Sequence, residues 1–230
     1  MVDVKAGVEY KINIGRKSFL LDKKKYKLLD FINSQGSITK AAKLANVSYR
    51  TALNHIDKIE DSLDIKLVET TKGGFGGGGG STLTSEGYSI LKECKKINAI
   101  MELHREVNEI ESTVLDIDEA KGVMKIKIKD LGINIPLNSR YKVGDKILAL
   151  ISYDNIFLML TPQESSIRNV LKGRITEMSL EKEAIRIKIN VDGINLYSDI
   201  TVSAAREMNL TLSKKIYVGF KAMSVATLKM

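Results

Sequence analysis

The 230-residue chain reads as a multidomain α+β protein: an N-terminal winged helix-turn-helix, a long dimerisation helix, and a C-terminal pair of all-β barrels. Three observations predict it. Two short amphipathic patterns, each opened by a serine, flank Asn46; an apolar stripe runs from Thr84 to Ser112; and from Thr113 onward a strand-like pattern occurs twice in echoing form. The corresponding boundaries are 1–83, 84–112, 113–162 and 163–230.

Val8 to Ile14, VEYKINI, alternates apolar and polar residues as a half-buried strand does. From Lys24 a helical pattern carries Tyr26, Leu28, Leu29, Phe31 and Ile32 and stops at the Ser34–Gly36 turn, where glycine can take a left-handed conformation. Lys23, Lys24, Lys25 and Lys27 at its start read first as a solvated face and second as phosphate contacts.

The stretch Gly36 to Glu60 organises this half. Ser37 can cap a short helix with Ile38, Ala41, Ala42 and Leu44 inward, because a serine hydroxyl accepts from an otherwise unpaired N–H of the first turn. Asn46 tolerates the tight turn that follows. Ser48 can cap a second helix with Ala52, Leu53, Ile56 and Ile59 inward, leaving Tyr49, Arg50, Thr51, Asn54, His55 and Lys58 outward. In a helix-turn-helix this second helix enters the major groove, where Arg pairs with guanine and Asn with adenine through two hydrogen bonds each. The alternative is a pair of packed amphipathic helices with a solvated polar face.

Lys66 to Thr70 reads as a strand and Ser81 to Leu83 as its return, joined through Lys72 and a run from Gly73 to Gly80 in which only Phe75 is not glycine. A phosphate-cradling loop needs a Lys and a Ser or Thr directly after the last glycine; Ser81 follows with no Lys, which disfavours nucleotide hydrolysis. The run fits a flexible linker or a hairpin wing. The candidate DNA-binding set is Ser48, Tyr49, Arg50, Thr51, Asn54, His55, Lys58 and Lys72.

Ile90, Cys94, Ile97, Met101, Leu103, Val107 and Ile110 form a stripe suited to an intermolecular helix pair, and a homodimer presents two reading heads to a two-fold symmetric double-stranded operator. Burial against the chain's own first domain fits the pattern equally well.

Lys and Arg number 36 against 28 Asp and Glu, a net charge of +8, which favours anionic partners. The division is +3 for residues 1–112 and +5 for residues 113–230, so the second half has reason to bind an anion of its own. One cysteine, Cys94, and no apolar run of membrane-spanning length point to a cytoplasmic protein without a membrane partner. His55 and His104 are the only histidines and no Cys/His cluster accompanies them, so neither an enzyme nor a bare metal-cation site is expected.

In the second half GVMKIKIKDLGINIPL, from Gly122, echoes EAIRIKINVDGINLYS, from Glu183, with Ile126 and Ile187 separated by 61 residues and Gly132 and Gly193 likewise. DKILALISYDNIFLM, from Asp145, echoes KKIYVGFKAMSVATL, from Lys214, at an offset of 69. Two related barrels follow, with Met124, Ile126 and Ile128 inward and Lys125, Lys127 and Lys129 outward. Such barrels can bind oligonucleotides, but the aromatic residues here do not interleave with basic ones.

Two resemblances sharpen the reading. SITKAAKLANVSYRTALNHIDKIEDSLDIKLVETT, with its glycine-rich wing and LTSEG, resembles the winged helix-turn-helix of LysR-type and ModE-type regulators, and the glycine insertion and short chain favour the ModE type. PQESSIRNVLKGRI, from Pro162, resembles the SxRNxLxG signature of Mop, or TOBE, domains, OB-like molybdate- and tungstate-binding modules. Ser166, Arg168, Asn169, Leu171 and Gly173 match that signature; Ile200-Thr201 and Lys221-Ala222-Met223-Ser224-Val225 match later family segments. Met223 and Ala204 stand where the family carries Ser, which removes two hydroxyl donors.

The resemblance implies an oxyanion site of Ser166, Arg168, Asn169, Thr201, Ser203, Lys221, Ala222 and Ser224. A tetrahedral dianion accepts hydrogen bonds only, and hydroxyls, an amide, backbone N–H groups and cations are the donors it needs. The implied function is a homodimeric transcriptional regulator with molybdate or tungstate as effector, its loaded form repressing uptake genes. The alternatives are an oxyanion storage or delivery protein with a degenerate DNA-binding domain, and a winged-helix regulator with another effector.

Overall fold

A computed structural model describes residues 8–71 and 80–230; Lys72 and the glycine run through Gly79 lie outside the described residues. The chain forms two compact units, Met1–Met101 and Glu102–Met230.

In the first unit β1 (Tyr10–Ile14) pairs antiparallel with β2 (Lys17–Leu21). The sequence reading missed β2 because KSFLL does not alternate; Leu21 is buried while its neighbour Leu20 is exposed. Helix α1 (Lys23–Gln35) starts at Asp22, whose carboxylate accepts from the backbone of Lys24 and Lys25, and ends at Gly36 in the left-handed region. Helix α2 (Ile38–Leu44) is capped by Ser37 and α3 (Tyr49–Leu63) by Ser48, with Asn46 at φ 55° between them. The inward faces are as the spacing predicts except for Leu44, which is 53% exposed: the covered face of α2 runs through Ile38, Ala41 and Ala42 to Ala45, and Leu44 falls beside it.

Strands β3 (Val68–Thr71) and β4 (Gly80–Leu83) pair antiparallel as a hairpin. Its base is held by a buried carboxylate: Glu60 of α3 accepts from the backbone N–H groups of Leu67 and Val68 at 2.7 and 3.2 Å and from Lys66 Nζ at 2.6 Å. Helix α4 (Ser85–Leu103) follows, its first turn capped by Thr84, whose Oγ1 accepts from Gly87 N and donates to the Lys66 carbonyl. Here glycine is obligatory: a Cβ at Gly87 would stand 2.4 Å from the Leu67 carbonyl oxygen.

The long helical pattern is corrected in extent. The helix ends at Leu103, and Val107 and Ile110 belong to a strand, so 84–112 is not one helix. Residues 107–114 also alternate, with Asn108, Ile110, Ser112 and Val114 inward, and pairing of this segment with the strands Val123–Ile128 and Lys146–Ser152 selects that period. The stripe on α4 itself divides: Ile90 and Cys94 are buried, whereas Ile97, Ile100, Met101 and Leu103 are 44–63% exposed.

The second unit holds two five-stranded antiparallel sheets. One has the order β14-β8-β5-β6-β7, from β5 (Val107–Asp118), β6 (Val123–Ile128), β7 (Leu131–Pro136), β8 (Lys146–Ser152) and β14 (Val225–Lys229). The other has the order β12-β11-β10-β13-β9, from β9 (Phe157–Met159), β10 (Asn169–Glu181), β11 (Ala184–Val191), β12 (Ile194–Thr201) and β13 (Lys215–Phe220). The last strand of each repeat therefore completes the other repeat's sheet: β14 pairs with β8, and β9 with β13. The repeats are interwoven, and one core of 22 buried residues, from Ile110 to Val225, runs through both. A boundary at residue 162 separates the repeats in sequence but not in space.

The repeat is real, and one of its offsets changes. Bulges fall between Val114 and Asp116 in β5 and between Ile175 and Glu177 in β10, in keeping with the offset of 61. In the next hairpin, Asp192 and Gly193 form a turn with positive φ, whereas Gly132 lies within β7 opposite Lys127. Strand pairing thus makes Lys125 and Asn134 the counterparts of Lys188 and Tyr197, two residues beyond the equivalence read from the glycines. The offset of 69 holds for β8 and β13 and for the 3₁₀ turns after them, Tyr153–Asn155 and Ala222–Ser224; the insertion includes the short helix α5 (Val202–Glu207).

Candidate functional site

In the first unit the candidate surface is the outer side of α3. Ser48 is spent on the cap, accepting from Thr51 N at 3.0 Å, and its hydroxyl lies 2.8 Å from that of Thr51. Tyr49, Arg50, Asn54 and Lys58 are exposed. Arg50, Asn54 and Lys58 are spaced by four, so they form one stripe with a planar cation, an amide and a second cation. His55 is half-buried and lines a cleft of about 650 Å³ with Lys11, Ser18, Phe19, Leu20, Lys25 and Lys58. Burial, then the nearby Lys25, holds its pKa below the usual histidine value. The strand β2 and the cleft's cations Lys11 and Lys25 were not legible as parts of one surface, because no motif connects them.

In the second unit the signature residues sit where β10 and β13 begin and end. Asn169 pairs with Phe220 across the ladder, and the next residues outward on the two strands are Arg168 and Lys221, both exposed. Arg168 Nη1 donates to the Ser165 carbonyl at 2.8 Å, which fixes the guanidinium beside the loop carrying Ser166. After Lys221 the chain makes its 3₁₀ turn, with Ser224 N donating to the Lys221 carbonyl at 3.0 Å. Arg168, Asn169, Lys221, Ala222 and Ser224 thus share one end of the sheet.

Asn169 is only 4% exposed and its amide is largely committed. Its Oδ1 accepts from Asn134 N at 2.7 Å and its Nδ2 donates to the Asn134 carbonyl at 2.8 Å. Thr201 and Ser203 lie elsewhere on the ladder: Thr201 is opposite Ala184, which is opposite Glu181 at the far end of β10. The Thr201 hydroxyl caps α5 by accepting from Ala204 N at 3.1 Å, and Ser203 donates to Glu207 at 2.6 Å. The inventory of one chain therefore falls into two groups rather than one shell.

The glycine of the signature has a packing reason. A Cβ at Gly173 would come within 2.5 Å of Ile189 Cγ2 and 2.9 Å of Val191 Cγ2, so the side chains of the neighbouring strand β11 leave no room for one there.

The first repeat's counterpart differs in charge. Ser152 occupies the position of Lys221, and its hydroxyl donates to Asp154; His104 Nδ1 lies 3.2 Å from the same carboxylate. Nearby, Arg186 makes two hydrogen bonds to Asp199, at 2.9 and 2.8 Å, and lies 4.7 Å from the Tyr153 ring centre. Arg186 also lies 4.0 Å from Glu106. An oxyanion placed there would face Asp154 and Glu106, whereas Arg168 and Lys221 supply two cations at the other end.

Residues 24–88 match the bacterial regulatory helix-turn-helix protein of the lysR family, and residues 165–227 match the TOBE domain. The chain is thus a two-module protein, a LysR-type helix-turn-helix joined to a TOBE-containing β unit. It is similar to the transcriptional regulator ModE of Haemophilus influenzae, 26% identical over 90% of this chain and 68% of the relative. It is also similar to the molybdenum import ATP-binding proteins ModC of Haemophilus influenzae and Haemophilus ducreyi, 29% and 30% identical over 36% and 44% of this chain. The chain spans only 24% and 29% of the length of those two proteins. A molybdate-bound crystal structure of the cytoplasmic molybdate-binding protein ModG aligns with 54% of this chain and 96% of its own, at 19% identity and a TM-score of 0.48. No helix among the described residues is long and apolar enough to cross a membrane.

Proposed function

We propose that the chain is a molybdate-responsive, DNA-binding transcriptional regulator, acting as a homodimer. The observation that carries this is the presence in one chain of a capped reading helix with Arg50, Asn54 and Lys58 exposed in a stripe, and of a cation pair, Arg168 and Lys221, at the TOBE signature. Arg50 and Asn54 read base edges, Tyr49 and Lys58 flank them, and the β3–β4 hairpin serves as the wing. Ser48 and Thr51 position the helix, and His55 supports its inner flank.

The dimer forms through the exposed half of α4. Ile97, Ile100, Met101 and Leu103 are large apolar groups, and burying each contributes about 1.5–3 kcal/mol. An apolar cleft of about 450 Å³ between β1 and α4, lined by Tyr10, Ile12, Ile14, Ile90 and Ile97, continues this strip.

At the TOBE end Arg168, Lys221, Ser166, Ser224 and the backbone N–H of Ala222 supply charge and donors, and Asn169 positions the strand that presents them. Thr201 and Ser203 of a second copy complete the shell, since one chain's ladder keeps them apart. Enclosure by donors spaced for the larger molybdate or tungstate leaves them unpaired around sulfate, and that is the source of discrimination. The ion acts by binding one arrangement of the dimer more tightly than another; its differential affinity sets the size of the response. The loaded form represses oxyanion uptake genes.

The test is a double dissociation. Arg50→Ala and Asn54→Ala each weaken operator binding by roughly ten- to a hundredfold, as loss of a paired base contact predicts, and leave molybdate affinity unchanged. Arg168→Ala and Lys221→Ala do the reverse. Equal loss of both activities in every folded variant contradicts the assignment.

A further inference from the structure

The outer face of the second repeat carries a cationic cleft at the opposite end of the β10–β13 ladder from Arg168 and Lys221. It has a volume of about 440 Å³ and is lined by Lys172, Gly173, Arg174, Asn190, Asp192 and Lys215. Arg174 lies directly opposite Lys215 on β13 and opposite Asn190 on β11, and Lys172 stands two residues along on the same outward face. Like charges directly across a ladder repel, so this arrangement costs stability in the isolated protein.

Neighbouring carboxylates do not relieve it. None of Lys172, Arg174 and Lys215 forms a salt bridge among the described residues, although Asp192 shares the cleft. Arg174 Nη1 donates to the Ser213 carbonyl at 2.7 Å, which holds the guanidinium over the strands while leaving other N–H groups outward. By strand pairing, the counterparts of Lys172, Arg174 and Lys215 in the first repeat are Glu111, Thr113 and Lys146. The three-cation cluster is therefore peculiar to the second repeat and not imposed by the fold the repeats share.

We propose that this cleft binds the phosphodiester backbone of duplex DNA, adding a sequence-independent contact to the one made by α3; this rests on the DNA-binding reading above. The cleft is open, so it lacks the enclosing shell that selects a small oxyanion, and its cations suit a backbone that passes over them. Neutralised phosphates release counterions, and the salt dependence of binding counts them.

The experiment measures affinity of the full chain for non-operator duplex DNA by fluorescence anisotropy over a series of KCl concentrations. The Lys172→Gln, Arg174→Gln, Lys215→Gln triple variant is expected to lower the slope of log K against log salt by roughly 2 to 3, since each phosphate contact adds about 0.9. Molybdate titration of the same variant is expected to match wild type, which certifies its fold. A control variant with Lys125, Lys127 and Lys142 changed to Gln has the same loss of charge and is expected to keep the wild-type slope. An unchanged slope in the triple variant, or an equal fall in the control, overturns the proposal. If wild type binds no DNA, the DNA-binding reading falls and this contact with it; an unchanged slope with DNA bound removes this contact alone. Competition by inorganic phosphate at constant ionic strength, specific to wild type, would instead assign the cleft to free phosphate and overturn the duplex assignment.

Discussion

Asn169 and Asn108 stand at equivalent places in the two repeats, and each clasps the backbone of the opposite repeat. Asn169 bonds both polar groups of Asn134, and Asn108 bonds those of Tyr197, accepting from N at 2.7 Å and donating to the carbonyl at 3.0 Å. Asn134 and Tyr197 are themselves counterparts, opposite Lys125 and Lys188. Each asparagine thus imitates a short piece of ladder at a seam between the repeats.

Removing either clasp leaves a part-buried N–H and carbonyl unpaired. Asn169→Ala and Asn108→Ala are each expected to destabilise the second unit by about 2–3 kcal/mol. Urea denaturation followed by circular dichroism checks this. Asn169→Ala also lowers molybdate affinity, by releasing the strand that carries Arg168; Asn108→Ala affects stability to the same degree with a smaller effect on affinity.

Gly87→Ala forces a Cβ into the Leu67 carbonyl, a backbone group that can yield only if α4 or the hairpin shifts. A loss of about 1–3 kcal/mol is expected, as for other overpacked sites. Thermal unfolding of the first unit measures it, and operator affinity falls in parallel because β3 and α4 leave from the same point.

His55 gives the first unit a pH dependence of predictable sign. Its folded pKa lies below 6.5 because burial and then Lys25 disfavour the charged ring; Lys58 and Lys24 act the same way, and Asp22 opposes them. Below 6.5 the unfolded chain therefore binds the proton more readily, and stability falls as pH drops from 6.5 through the folded value. His55→Gln is expected to flatten the stability profile over that interval, measured by urea titrations at pH 5 to 7.5, while the profile above neutrality stays the same.

Much of the first unit was legible because its signals are local. Ser37 and Ser48 each cap a helix within three residues of themselves, and Asn46 marks the turn between them. The end of α4 was not, because Leu103, Val107 and Ile110 satisfy a helical period while residues 108–114 satisfy a strand period, and His104-Arg105-Glu106 contains no breaker. In the second unit the echo was legible, whereas the exchange of β9 and β14 was not: alternation tells which face of a strand is buried but not which strand lies beside it. The same limit applies to the site. The family resemblance singles out Ser166, Arg168 and Lys221 as candidates, but the commitment of Asn169 to Asn134 depends on a contact between repeats that no spacing encodes.

The central claim is that this chain senses a metal oxyanion, and calorimetric titration with molybdate, tungstate and sulfate at matched ionic strength tests it most directly. The account predicts saturable binding of molybdate and tungstate, little response to sulfate, and loss of the signal in Arg168→Ala and Lys221→Ala. Absence of binding by all three ions, or equal binding of sulfate, would contradict it.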